Sequence, residues 1–177
     1  MKNLALYVVL LVFLAGCFQF NDSATVENGT GPLIFQSEYT NYAWGYQHGG
    51  WLMDGTGKVK RFQKSASWVF PDSLGYLSEV DMQKNLSACD SVLTQINSAE
   101  LYKYSVKALS CIDGQLTTPK NTMADAGEHV YAFYFYDIAS KKYKQVILNT
   151  TGDWSQENLA SQSKEIVDWM MKLSKTL

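Results

Sequence analysis

Hydrophobic residues follow three rhythms along this chain: residues 4–14 are apolar without a break, residues 33–62 and 130–148 tend to alternate, and stretches after Ser78, Asn97 and Asp153 repeat at helical spacing. The unbroken run is too short to span a bilayer and suits the core of a secretory signal, with Lys2 ahead of it and small residues behind. Alternation from Leu33 puts Tyr42, Trp44, Tyr46 and His48 on one side of a predicted strand and Asn41, Ala43 and Gly45 on the other. Trp51-Leu52-Met53, a turn at Asp54-Gly55-Thr56-Gly57 and the run 58–62 then read as a β-hairpin.

The middle of the chain turns helical. Ser78 stands as a cap before Glu79 and Asp81, with a modest stripe from Val80, Met82 and Leu86. Asn97-Ser98-Ala99-Glu100 has capping-box logic, and Leu101, Tyr104, Ala108 and Cys111 follow at helical spacing. Residues 91–96 between these two helices fit either a continued helix or an extended connector. Farther on, the aromatic run 130–136, a polar connection 137–142 and the run 143–148 make a second hairpin. A last helix is expected from Glu157 or Leu159 to Lys172, with Leu159, Ile166, Met170 and Leu173 on its inner face and Trp169 beside that stripe. The order predicts an α+β fold: two β-hairpins forming an antiparallel or mixed sheet packed against about three helices.

Charge narrows the partners. The chain carries a net charge of −2, and removal of the signal takes away only Lys2, so no basic patch points to nucleic acid. Eleven tyrosines and five tryptophans argue for a folded body. Leu14-Ala15-Gly16-Cys17 resembles the lipobox of bacterial lipoproteins, which implies cleavage before Cys17 and acylation of that residue. Two or more acyl chains hold a protein stably on a membrane, where one does not. Phe18 follows, not the aspartate that resembles an inner-membrane retention signal, so the outer membrane facing the periplasm is expected if the cell has two membranes. Residues 18–32 are rich in turn formers and read as a flexible tether; the expected organisation is signal 1–16, lipidated tether 17–32 and one domain 33–177.

Asn41-Tyr42-Ala43-Trp44-Gly45, the 54–57 turn, Asp125-Ala126-Gly127, the aromatic strand and Gly152-Asp153 together resemble a group of uncharacterised secreted and lipid-anchored bacterial proteins. The resemblance covers most of residues 38–173 and implies no activity, so no catalytic residue carries over from it.

Chemical motifs are mostly excluded. Gly50-Trp51-Leu52-Met53-Asp54-Gly55 has the glycine spacing of a phosphate loop, but Thr56-Gly57 stand where the lysine and hydroxyl residue belong. Asn28-Gly29-Thr30 matches a glycosylation sequon that carries no meaning in a chain of bacterial character. Three constellations remain. Asp125, Glu128 and His129, with His48 brought in by the fold, would make a nitrogen–oxygen metal site. Cys89 and Cys111 are a candidate disulfide, or one of them a nucleophile beside a histidine; bridging turns on the connector, because an extended 91–96 brings them level and a helical one leaves them out of register. Tyr42, Trp44, Tyr46, His48 and Trp51 form an aromatic set suited either to stacking on a ligand or to filling the core.

The reading is a cell-envelope lipoprotein with a non-catalytic binding or structural role, held to the membrane by its lipid, with a glycan, peptide or envelope protein as ligand and no cofactor. Its rivals are an envelope hydrolase, metal-dependent through the 125–129 loop and Asp153, and a protein-interaction module.

Overall fold

The computed structural model describes residues 31–64 and 66–177; the signal, Cys17 and the tether up to residue 30 lie outside them. Alternating residues build β1 (Ile34–Asn41), β2 (Gln47–Met53) and β3 (Lys58–Gln63), followed by a short β4 (Tyr76–Ser78), helix α1 (Glu79–Ser87), β5 (Ser91–Gln95) and helix α2 (Ser98–Leu109). A two-residue β6 (Lys120–Asn121), the long β7 (Glu128–Asp137) and β8 (Lys142–Gly152), β9 (Trp154–Glu157) and helix α3 (Ser163–Ser174) complete the order.

The strands form one open sheet in the order β5-β3-β2-β1-β7-β8-β9-β6, with β4 also pairing β8, and every strand pair is antiparallel. Two hairpins therefore understate a nine-stranded mixed α/β architecture. The local signals hold where they are strongest. Asp54 Oδ1 accepts from the Thr56 and Lys58 amides and closes the β2–β3 turn. Ser78 and Asn97 cap α1 and α2, accepting from the Asp81 and Glu100 amides at 3.1 and 2.9 Å.

The extended alternative for residues 91–96 is the one observed, because the segment pairs with β3 and the Ile96 amide donates to the Gly57 carbonyl. The last helix starts later than periodicity suggests. Residues 154–157 are drawn into the sheet against β8 and β6, and Leu159 is exposed in the connection, its amide donating to the Gln115 carbonyl. Val80 is likewise exposed, leaving Met82 as the buried anchor of α1.

Strand alternation sorts side chains onto two faces. Leu33, Phe35, Trp51, Met53, Val59, Tyr131, Phe133, Val146 and Leu148 join residues of α2 and α3 in the main core. Ile34, Leu52, Phe62 and Tyr134 point the other way and meet Leu77, Met82 and the partly buried Trp68 and Val69. Trp169 is in the main core as expected, edge-on to Phe35 at 5.3 Å and stacked on Tyr104 at 4.1 Å.

The sheet keeps the two mature cysteines apart: Cys111 is buried in the main core, Cys89 packs on the other cluster, and both are free. The disulfide expectation is corrected on that ground. Extension of residues 91–96 was necessary for a bridge but not sufficient, because it carries the chain to a different layer. Nucleophilic cysteine chemistry loses its basis as well. Burial pushes the Cys89 thiol up to about 11 and raises that of Cys111, so neither is a thiolate at neutral pH.

Candidate functional site

The aromatic set divides into three parts. At the end of β1, Asn41 Oδ1 accepts from the Ala43 amide at 2.8 Å, an Asx turn that stops the strand and swings residues 42–46 out as a loop. Tyr42 and Trp44 stand 71% and 77% exposed on it. Tyr46 bridges inward, 5.2 Å from the Tyr42 ring and stacked at 6.0 Å on His48. His48 is only 2% exposed, ringed by Phe62, Trp68 and Phe70 at 5.1–5.2 Å between centroids. Trp51 points to the opposite face, where its indole N–H donates to Ser174 Oγ at 2.9 Å. The set is therefore no single platform: Tyr42 and Trp44 meet solvent, while His48 and Trp51 are core residues of different faces.

Asn41, the 125–127 turn and Asp153 converge at this end of the sheet, whereas the 54–57 turn lies at the opposite end of β2. The Asn41 side-chain Nδ2 donates to the Asp125 carbonyl at 3.1 Å and to the Tyr39 hydroxyl at 3.0 Å, and that hydroxyl donates to the Ala126 carbonyl at 3.1 Å. Asp153 Oδ1 accepts from the Ala126 amide at 2.8 Å, and the Asp153 amide donates back to the Gly127 carbonyl. Gly127 holds φ +74°, and a β-carbon there would run into the Thr40 carbonyl oxygen. These motifs lock the 122–127 loop onto β1 and β8, so a carboxylate that sequence alone offered to catalysis is engaged in holding backbone.

Beside this knot lies a cleft of about 220 Å³ lined by Asn41, Tyr42, Glu128, Asp153 and Trp154 among others. Tyr42 and the half-exposed Trp154 supply flat rings, Glu128 and Asp153 supply acceptors. Burial, and then repulsion from Glu38 and Asp153, raises the Glu128 carboxyl above its ordinary value. Rings with a polar rim beside fixed acceptors can hold the C–H face and hydroxyls of a polyhydroxylated ligand.

The metal constellation is not assembled. Glu128 and His129 are neighbours in β7 and point to opposite faces, while Asp125 sits in the preceding turn with its own φ at +61°. His48 pairs with Glu38 instead. Among the described residues no group of three or more histidines, cysteines and carboxylates is placed to hold a metal.

Two pairings were out of reach of sequence reasoning. His129 Nε2 and Ser37 Oγ share a hydrogen bond of 2.8 Å across 92 residues, and burial lowers the His129 pKa. Ser37 is buried in the sheet, which leaves no path for a substrate to its oxygen. His48 Nε2 lies 2.7 Å from Glu38 Oε1, a buried pair whose even spacing across a hairpin is the one local signal that could have found it. No protein-family model, curated protein or solved structure matches this chain, so its functional reading rests on this geometry.

Proposed function

We propose that the chain is a cell-envelope lipoprotein, anchored through Cys17, whose domain binds a glycan on the aromatic end of its sheet without chemical turnover. One observation carries the binding reading. A domain that buries Phe35, Phe133 and Trp169 leaves Tyr42, Trp44 and Trp154 outside, on a loop and strand pinned by the Asn41 and Asp153 hydrogen bonds. Exposed aromatics on a rigid mount offer large contact area with little side-chain entropy to lose. The anchor rests on the Leu14-Ala15-Gly16-Cys17 motif and the apolar run before it.

The test is binding of the full-length protein to a glycan array, with titration calorimetry on the best oligosaccharide found. Trp44→Ala and Trp154→Ala should each weaken binding about tenfold, roughly 1.4 kcal/mol, with the melting temperature unchanged. Absence of any glycan ligand, or affinity indifferent to both substitutions, rejects the reading. Intact-mass analysis tests the anchor independently: the N-terminus of the mature protein should be an acylated Cys17, and Cys17→Ser should remain unprocessed.

A further inference from the structure

The main-core face is covered by α2 and α3 only as far as Ser174, which takes the Trp51 indole N–H. Past that point the same face opens into a groove of about 530 Å³, within the range of small-molecule sites. Trp51, Leu93 and Leu177 line it with apolar surface, and Tyr39, Gln63 and Arg61 with polar groups. Arg61 lies directly opposite Trp51 in the β2–β3 ladder, so its side chain stands on the same face.

Two features mark the groove as built for an anion. Among the described residues Arg61 has no ion-pair or side-chain hydrogen-bond partner, and neither has Lys64 at the rim. Lys60, on the other face, is by contrast held by Asp54 at 3.3 Å. The second feature is the Gly49-Gly50 pair. Gly50 has φ +152°, and a β-carbon there would collide with the Ser37 carbonyl oxygen, so close packing of β1 on β2 requires it. Gly49 has neither constraint: its φ lies outside the left-handed region, and a β-carbon would make only ordinary contacts, the nearest 3.4 Å from the Phe62 carbonyl oxygen. What the missing side chain does is leave the groove floor open between Tyr39 and Gln63, its cross-strand neighbours.

We propose that this groove binds a small organic anion, a carboxylate carried on an apolar body. The Arg61 guanidinium takes the carboxylate, with the fork geometry suited to two parallel N–H···O bonds, and Trp51, Leu93 and Leu177 receive the apolar part. Lys64 adds positive potential at the mouth. His48 also contributes to the groove's lining, and the site shares neither Tyr42 nor Trp154 with the aromatic cleft.

Calorimetric titration of the full-length protein with octanoate tests it, with octan-1-ol as the uncharged counterpart. Octanoate should bind one to one, and octan-1-ol at least tenfold more weakly. Arg61→Met, which keeps the apolar stem, should weaken octanoate at least tenfold. Gly49→Leu should abolish binding by filling the floor, with the melting temperature of both variants near that of the parent. Trp44→Ala should leave octanoate binding unaltered, which separates failure here from failure of the glycan reading. No saturable binding of octanoate, equal binding of octan-1-ol, or octanoate affinity indifferent to Arg61→Met and Gly49→Leu overturns the proposal.

Discussion

Under α2 and α3 the sheet buries aliphatic and aromatic side chains from five strands, whereas the opposite face, under α1 and the aromatics of residues 68–70, buries Gln36, Glu38 and His48 beside a smaller apolar cluster. One sheet thus carries two kinds of interior. On the first, stability comes from apolar area removed from water and close packing. On the second, a carboxylate and an imidazole are tolerated because they satisfy each other at 2.7 Å, while His48 Nδ1 and Gln36 Oε1 are buried without partners among the described residues. Burial therefore does not tell what a residue contributes; its partners do.

Substitutions on each face should separate these interiors. Phe133→Ala, which empties a ring-sized volume in the main core, should cost about 3–5 kcal/mol in chemical denaturation. A loss under 1 kcal/mol would deny that this face is the stabilising one. His48→Phe should cost about 3 kcal/mol, because it leaves Glu38 buried without its partner, and adding Glu38→Leu should recover most of that loss. Recovery would show that the second face needs pairing and not charge as such; additive losses would show the reverse. Trp44→Ala, at a ring on neither face, should stay within about 0.5 kcal/mol of the parent.

The smallest effect sharpens the comparison most finely, since Glu128 and His129 are adjacent and face opposite ways. Burial lowers the His129 pKa, so the unfolded chain takes up a proton more readily; the stability present above about pH 6.5 is lost as pH falls below it. His129→Gln should flatten that slope. Burial and neighbouring carboxylates raise the Glu128 pKa, so its contribution is fully present below about pH 4.5 and is lost as pH rises through the folded value. Glu128→Gln should accordingly raise the melting temperature more at pH 7 than at pH 4. Melting curves of both variants across that range check the opposite signs.

Much of the element order was legible because its causes are local. Ser78 and Asn97 cap helices through groups three residues away, Asp54 closes its own turn, and Ile166, Met170 and Leu173 share a face by helical spacing alone. The reading failed where distant chain competes. Residues 154–157 look like the approach to a helix until β8 pairs with them, and alternation through residues 41–48 reads as one strand until Asn41 turns it. Of the aromatic set, Tyr42, Trp44 and Tyr46 stand exposed on the 42–46 loop, while His48 and Trp51 are buried on different faces of the sheet.

By itself, then, the sequence determined the two strongest hairpins, the caps of the first two helices and which side chains share one face of the last, since spacing and capping act over a few residues. Beyond those two hairpins, tertiary structure alone decided which strands become neighbours, and with that what depends on meeting across the sheet. Ser37 and His129 bond over 92 residues, Cys89 and Cys111 end in different layers, and Arg61 stands opposite Trp51 beside the open groove. The reason is physical: a strand satisfies only half of its hydrogen-bonding and burial requirements alone, and its partner is chosen by the collective packing of the whole chain.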